Sequence, residues 1–558
     1  MTIKEIQKQL KKDKINARLF TLGNLFINED ILPSENQILE LTGFTGSFAI
    51  LFVTQNKAYL FVDGRYEIQA KKQVNTRQVE IVKITEISFE KWLAKNFSKS
   101  PISINYNSWT TSIKHLNHLQ KVLPKSTFIP LKNTETLLSE NKVKTIIHQK
   151  KFCSLTSKDK ISYVIKNIKN NNLDAYLITS ASNASWLLNM RSNALPHTPI
   201  LRAYVLVEKT GLCKIFAEHT DLKNTIPFSE LNNQLQKYNN IGTDFTSTPD
   251  ILQSYTPNLI DIRDCINDLK ATKTPTEIKS IINAHLKDGV ALSKFMFWLS
   301  KNYKNKTEID IAKKLLEFRK KELNFHSESF ATIAGFETNS AIIHYCATEK
   351  TNKTLKKGSV LLLDSGGQYY DGTTDVTRTI AIGDPTPEMI EKNTLVLKAH
   401  IALASAIFPQ DTKGSELDLL ARQPLLKQGI DYNHGTGHGV GYFSNVHEGP
   451  HCISIKAKTS SPLKIGMITS IEPGYYKENA FGIRIENLYH VKKSSNPNFL
   501  EFEVLTLAPL DKKLINKYLL SQDEIKWIDT YHTMVFNKLK KYLSKQELEW
   551  LKSSCSPL

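Results

Sequence analysis

The sequence predicts a multidomain protein: two related α/β domains, then an α+β domain of helices packed on a mainly antiparallel sheet. Three observations carry this reading. The chain has 558 residues, more than one compact core uses. A Lys-rich helix, a short Asn-bearing turn and an apolar strand occur in succession twice within the first half. From residue 358 onward the pattern is strand-rich, with glycine-marked turns.

The first element is the basic start, MTIKEIQKQLKKDKINARLF, in which Ile3, Ile6 and Leu10 recur at helical spacing. It lacks the apolar centre of a secretory signal. Glu5, Asp13 and the scarcity of Ser and Arg count against a mitochondrial presequence, so it reads as the first helix of the first domain. The strand KINARLFTL follows, then the strand-like run FAILFVTQNKAYLFVDGRY. The same order returns as SKDKISYVIKNIKN, NNLDAYLITS and LRAYVLVEKTGLCKIFAEH. The domains are placed at 1–150, 151–265 and 266–558, the last with a carboxy-terminal extension from about residue 500.

In KATKTPTE, the run Thr274-Pro275-Thr276-Glu277 predicts a helix start, with proline early and an acid in the first turn. IKSIINAHLKDGVALSKFMFWLSKN continues it as an amphipathic helix whose SKFMFWL stretch reads as core, and TEIDIAKKLLEFRKKEL (307–323) is a second helix. The tail after 510 is Lys-rich and helical, with Trp527 and Trp550.

Composition excludes several classes. Hydrophobic residues make up 41% and charged residues 23%, as in a soluble globular protein, and no apolar run is long enough to span a bilayer. Cys153, Cys213, Cys265, Cys346, Cys452 and Cys555 are scattered without a CxxC pair, which predicts free thiols in a reducing compartment and a cytoplasmic location. The net charge of +18 comes from dispersed lysines, with no RNP-like, zinc-finger or arginine-rich element, so no specific nucleic-acid partner is expected.

The chemistry lies in three stretches. In GSVLLLDSGGQYYDGTTDVTRTIAIG (358–383), Asp364 ends a buried strand and Asp375 lies on the returning one. Across a hairpin these carboxylates stand about 5 Å apart and need a shared proton or a cation. A turn cap for one and solvent for the other is the plain alternative. In GMITSIEPGYYKENAFGIRIENLYHV (466–491), Glu472 ends one strand and Glu486 lies in the next. Alternation puts Arg484 on the face of Glu486, and it alone could neutralise that acid. The third stretch, HGTGHGVG (434–441), holds two histidines among four glycines, which let backbone approach a crowded site. Four carboxylates carry a charge that two divalent cations cancel, and mostly oxygen ligands with one histidine favour Mn²⁺ or Co²⁺ over structural zinc. His400, His490 and His532 read as ordinary residues.

On these residues the chain resembles the long, three-domain aminopeptidases P of the pita-bread metallopeptidase fold. The resemblance runs through LLLDSGGQYYDGTTDVTRT, HGTGHGVG with NVHEGP, SIEPGYY and GIRIENL. It extends to LTGFTGSFA, FVDGRY and WLLNMRSNALPHTP in the front half and to EFEVLTLAPLDKKLI and LEWL in the tail. It implies two creatinase-like front domains and a pita-bread catalytic domain. It implies that Asp364 binds one metal, His438 and Glu472 the other, and that Asp375 and Glu486 bridge both. The metals are expected to be Mn²⁺, with Co²⁺ or Zn²⁺ as alternatives. His434 and His447 correspond to histidines that contact substrate and move protons, His344 to one on the opposite side of the substrate, and Arg484 is counted with the substrate-binding residues. The resemblance also implies that Glu472 relays the proton that a metal-bridging water gives up on becoming hydroxide. The implied reaction is hydrolysis of the amino-terminal Xaa-Pro bond of short peptides, by a homodimer. One local departure is Ser340 in GFETNSAIIHY, where the family usually has glycine. The competing readings are a prolidase-like dipeptidase, a methionine aminopeptidase, a creatinase-like C–N hydrolase, and an inactive pita-bread binding module.

Overall fold

The repeated helix, turn and strand build two sheets of one design. The structure is a computed structural model that describes residues 1–131, 143–256, 258–457 and 459–558. In the first sheet Ala17–Thr21 is central, antiparallel to Ile50–Thr54 on one side and parallel to Ser103–Asn107 on the other. Ala58–Val62 and Glu80–Lys83 extend one edge, Thr127–Leu131 the other. In the second sheet Ala175–Ile178 takes the central place, antiparallel to Tyr204–Glu208 and parallel to Ile241–Thr243, with Cys213–Phe216 and Leu259–Asp261 outside them. Each central strand follows a helix capped in the same way. Thr2 caps Ile3–Lys12 with Glu5, and Thr156 caps Ser157–Asn170 with Asp159. Ile3, Ile6 and Leu10 are buried, as the helical spacing predicts.

The chain divides into two units. One comprises Met1–Lys150, Leu155–Leu195 and Ile200–Ile266; the other comprises Lys151–Ser154, Pro196–Pro199 and Asn267–Leu558. The second unit opens with Pro275–Asn302, started by a Thr274–Glu277 capping box with proline in the first turn. This helix buries Ile281, Ala284, Leu292, Phe295 and Leu299. The following helix is Glu308–Arg319, shorter at its end than the pattern predicts.

Two hairpins then form the framework of the second unit. Ser359–Ser365 pairs with Val376–Ile382, and the same two strands continue past a break as Gly367–Tyr369 and Gly372–Thr373. Ile468–Ile471 pairs with Asn487–Lys493 and continues past a break as Gly474–Lys477 and Phe481–Arg484. The hairpins meet side by side: Glu486 N donates to Thr377 O (3.2 Å), and Arg484 N donates to Thr379 Oγ1 (3.1 Å). The buried Arg378 donates to Glu486 O, Asn487 Oδ1, Ala508 O and the Tyr531 hydroxyl, which fixes the tail helix Gln522–Leu539 behind them. No helix of the described residues is long and apolar enough to cross a membrane.

Candidate metal centre

The acids sit where the hairpins break. Asp364 is the penultimate residue of its strand, and Asp375 stands one residue before the return strand rather than on it. Glu472 directly follows Ile468–Ile471, and Glu486 directly precedes Asn487–Lys493. An interrupted ladder frees these positions from strict alternation of faces. Thus Arg484 eases the charge on Glu486 only through space, and its hydrogen bonds go elsewhere. Its Nη2 donates to Asp364 Oδ2 at 2.6 Å and its Nη1 to the Tyr476 hydroxyl at 2.8 Å.

Asp375, His438 and Glu486 offer ligand atoms that all lie within 4.8 Å of one another. His438 Nε2 is 3.5 Å from Asp375 Oδ2 and 3.5 Å from Glu472 Oε1. Its Nδ1 donates to Gly439 O at 3.0 Å, which turns Nε2 toward the two carboxylates. Asp364, Asp375 and Glu486 are buried, and Asp364 Oδ1 and Asp375 Oδ1 have no hydrogen-bond partner among the described residues. Burial pushes the Asp364 carboxyl up to about 7, opposed by Arg484 and reinforced by Asp375 and Glu472. Burial likewise lifts Glu486 well above the carboxylate range, helped by Asp375, Glu472 and Asp364. Buried oxygens without donors among the described residues, an imidazole nitrogen turned toward two carboxylates, and acids that resist ionising together fit divalent cations.

Close backbone approach delivers His438. A Cβ on Gly437 would stand 2.0 Å from Ser470 O, and one on Gly439 would stand 2.0 Å from Glu448 O. Glycine is therefore required on both sides of the ligand, whereas Gly435 has ordinary space. His438 N donates to Ser470 Oγ at 2.9 Å, and that hydroxyl donates to Glu472 Oε1 at 3.2 Å, so one serine aligns two ligands. Thr377 does the same for Glu486, donating from Oγ1 to Oε2 at 2.8 Å.

The remaining site residues surround this cluster. His434 Nδ1 donates to Gly435 O at 2.7 Å, so Nε2 accepts from the Tyr476 hydroxyl at 2.9 Å. Burial pushes Tyr476 up to about 12 despite Arg484, which keeps the hydroxyl a donor. His434, Tyr476, Arg484 and Asp364 are thereby joined in series. His447 is exposed, its ring 4.4 Å from that of His438 at 82°. The next residue, Glu448, is buried between Lys273 at 3.1 Å and Lys270 at 3.3 Å, which anchors the His447 loop. His344 is half-buried in the turn after Glu337–Ala341, and the carbonyl of its neighbour Ile343 accepts from Arg484 Nη2 at 3.3 Å. Sequence reasoning missed Tyr476, Ser470, Thr377 and Glu448. For Tyr476 a signal exists: strand alternation from Gly474 sets it on one face with Gly474, two residues past Glu472.

Residues 279–493 match metallopeptidase family M24 and residues 498–558 match the C-terminal region of that family. Residues 3–137 and 138–308 each match a creatinase/prolidase N-terminal domain. Aminopeptidase P2 of Arabidopsis thaliana is 33% identical, across 100% of this chain and 90% of the relative. The chain belongs to the aminopeptidase P family. Within that family, a solved X-prolyl aminopeptidase from Caenorhabditis elegans, described as a cytosolic enzyme with a di-nuclear active site, superposes with a TM-score of 0.92. It is 31% identical and the match covers 98% of this chain and 95% of that one. The prolidase of Pyrococcus horikoshii, 25% identical with a TM-score of 0.51, matches 63% of this chain and 99% of its own. The aminopeptidase P architecture, creatinase-type front domains followed by the M24 pita-bread domain, is thus present throughout.

Proposed function

We propose that the protein is a dimetal Xaa-Pro aminopeptidase that releases the first residue from short peptides with proline second. The observation that carries this reading is the cluster of Asp375, His438 and Glu486, with Glu472 beside His438 and Asp364 close enough to raise the Glu486 pKa, and with Asp364 Oδ1 and Asp375 Oδ1 lacking a donor among the described residues. In this reading Asp364, Asp375, His438, Glu472 and Glu486 would together hold the two cations, with Mn²⁺ as the native ion. The cations, when bound, supply a water of lowered pKa and Lewis acidity toward the carbonyl before proline.

The protein groups do the rest. Glu472, the least buried of the four acids, takes a proton from the attacking water and returns it to the departing proline nitrogen. That nitrogen carries no hydrogen in the peptide and must gain one to leave. His434 and Tyr476 act as one hydrogen-bonded pair toward the substrate, with Arg484 behind them orienting Asp364. His447 and His344 contact the substrate from the two sides. Arg484, buried and committed to Asp364 and Tyr476, acts on the substrate through them.

We further propose domain limits near residues 150 and 265, a homodimer, and a cytoplasmic location. All six cysteines are free, which suits a reducing compartment. The deciding experiment follows release of arginine from Arg-Pro-Pro with Mn²⁺, with and without chelator, and with Asp375→Asn. Release that needs metal and is lost in the variant supports the reading. An enzyme inactive with every metal, or one that cleaves only Xaa-Pro dipeptides, refutes it.

A further inference from the structure

We propose that Ser340 is a positioning residue for His344: its hydroxyl pins the turn carrying His344 to the hairpin carrying Tyr476 and Arg484. The proposal rests on the reading of His344 as a substrate contact.

Ser340 is buried, at 1% exposure, inside the single-turn helix Glu337–Ala341. Its Oγ donates to Glu337 O in its own turn and accepts from Gly482 N at 2.7 Å. Gly482 stands opposite Tyr476 in the hairpin register, so the hydroxyl grips the strand directly across from the tyrosine. The two backbones touch: a Cβ on Gly482 would lie 2.0 Å from Ser340 O. Three residues on, Ile343 O accepts from Arg484 of the same hairpin.

The other side of the turn is held by one buried carboxylate. Glu308 accepts from Phe336 N (2.7 Å), from Asn339 Nδ2 (3.0 Å), from the Tyr345 hydroxyl (2.8 Å) and from Lys353 N (2.9 Å). Residues 339 and 345, which flank the segment from Ser340 to His344, are therefore fixed to Glu308. Ser340 and Ile343 are fixed to the hairpin. A segment held from both sides has a defined place relative to Asp364, which Arg484 also grips. Ser340 is the side chain in this set whose loss removes a link between the turn and the hairpin without removing a charge.

Hydrogen exchange and kinetics test this together in Ser340→Ala and Ser340→Gly, with bound metal measured alongside. The Gly482 amide should exchange about fivefold to tenfold faster in both variants, because its acceptor is gone. Amides 337–345 should follow, while the segments bearing Asp375 and Glu486, and the metal content, stay unchanged. KM for Arg-Pro-Pro should rise about fivefold with kcat within about twofold. In a His344→Ala background, Ser340→Ala should add less than about twofold, since its effect passes through His344. Unchanged exchange at Gly482, an effect in only one of the two variants, or a full and independent effect in the His344→Ala background overturns the proposal. If the parent enzyme does not cleave Arg-Pro-Pro, the functional reading fails on its own, and the exchange result still decides whether Ser340 pins the turn.

Discussion

Two histidines four residues apart have opposite surroundings in this site. His438 turns its Nε2 toward Asp375 and Glu472, whereas both ring nitrogens of His434 are taken up by Gly435 and Tyr476. His438→Ala should therefore lose bound metal, while His434→Gln should keep it and lose about 10²-fold in kcat. Metal analysis of the two purified variants checks the assignment, and the reverse pattern would exchange the roles. The buried acids add a pH dependence. An acid whose folded pKa is raised holds its proton more tightly when folded, so the metal-free chain loses stability as pH rises from the carboxylate range through about 7, where Asp364 ionises. Cations prefer the ionised acids and compete with protons at low pH. The gap in Tm between metal-loaded and stripped protein should widen between about pH 5 and pH 7.5; a gap independent of pH would contradict this. The acids and His438 were legible because carboxylates among apolar strands and histidine among glycines are costly unless used. The partner of Arg484 was not legible. Strand alternation assigns it to Glu486, and only the break at Ile485 and Glu486, a tertiary feature, gives it to Asp364.

Glycine placement sets the elements that carry the ligands. The segment around His438 is pressed between Ser470 and Glu448, with backbone contacts too close for any side chain at Gly437 or Gly439. Gly439→Ala should destabilise the protein by about 1–3 kcal/mol through overpacking. It should also weaken metal binding, whereas Gly435→Ala should do neither. Thermal unfolding and metal titration of the pair measure the contrast, and equal effects would show that the glycines serve flexibility alone. The hairpins themselves were readable from glycine-marked turns and apolar runs. Their side-by-side docking through Thr377, Thr379 and Arg378 was not, because it joins segments over 100 residues apart. Glu448 is a similar case: its meaning depends on Lys270 and Lys273, which nothing in the local pattern couples to it.

At the scale of the molecule, a repeated helix, turn and strand was visible in the sequence and corresponds to two sheets with the same central arrangement. The additional edge strand Glu80–Lys83 of the first sheet was hidden, since its residues are exposed or half-buried and carry no apolar alternation. The proposed homodimer predicts that sedimentation equilibrium returns the mass of two chains, and a single-chain mass at micromolar concentration would refute it. The proposed function requires that five residues from two hairpins and a glycine-bounded segment hold two cations. Titrating chelator-stripped protein with Mn²⁺, while counting bound ions and following arginine release from Arg-Pro-Pro, tests it most directly. A dimetal enzyme gives no release without metal and full release at two ions per chain. Full activity in the stripped protein, or saturation at one ion per chain, would contradict it.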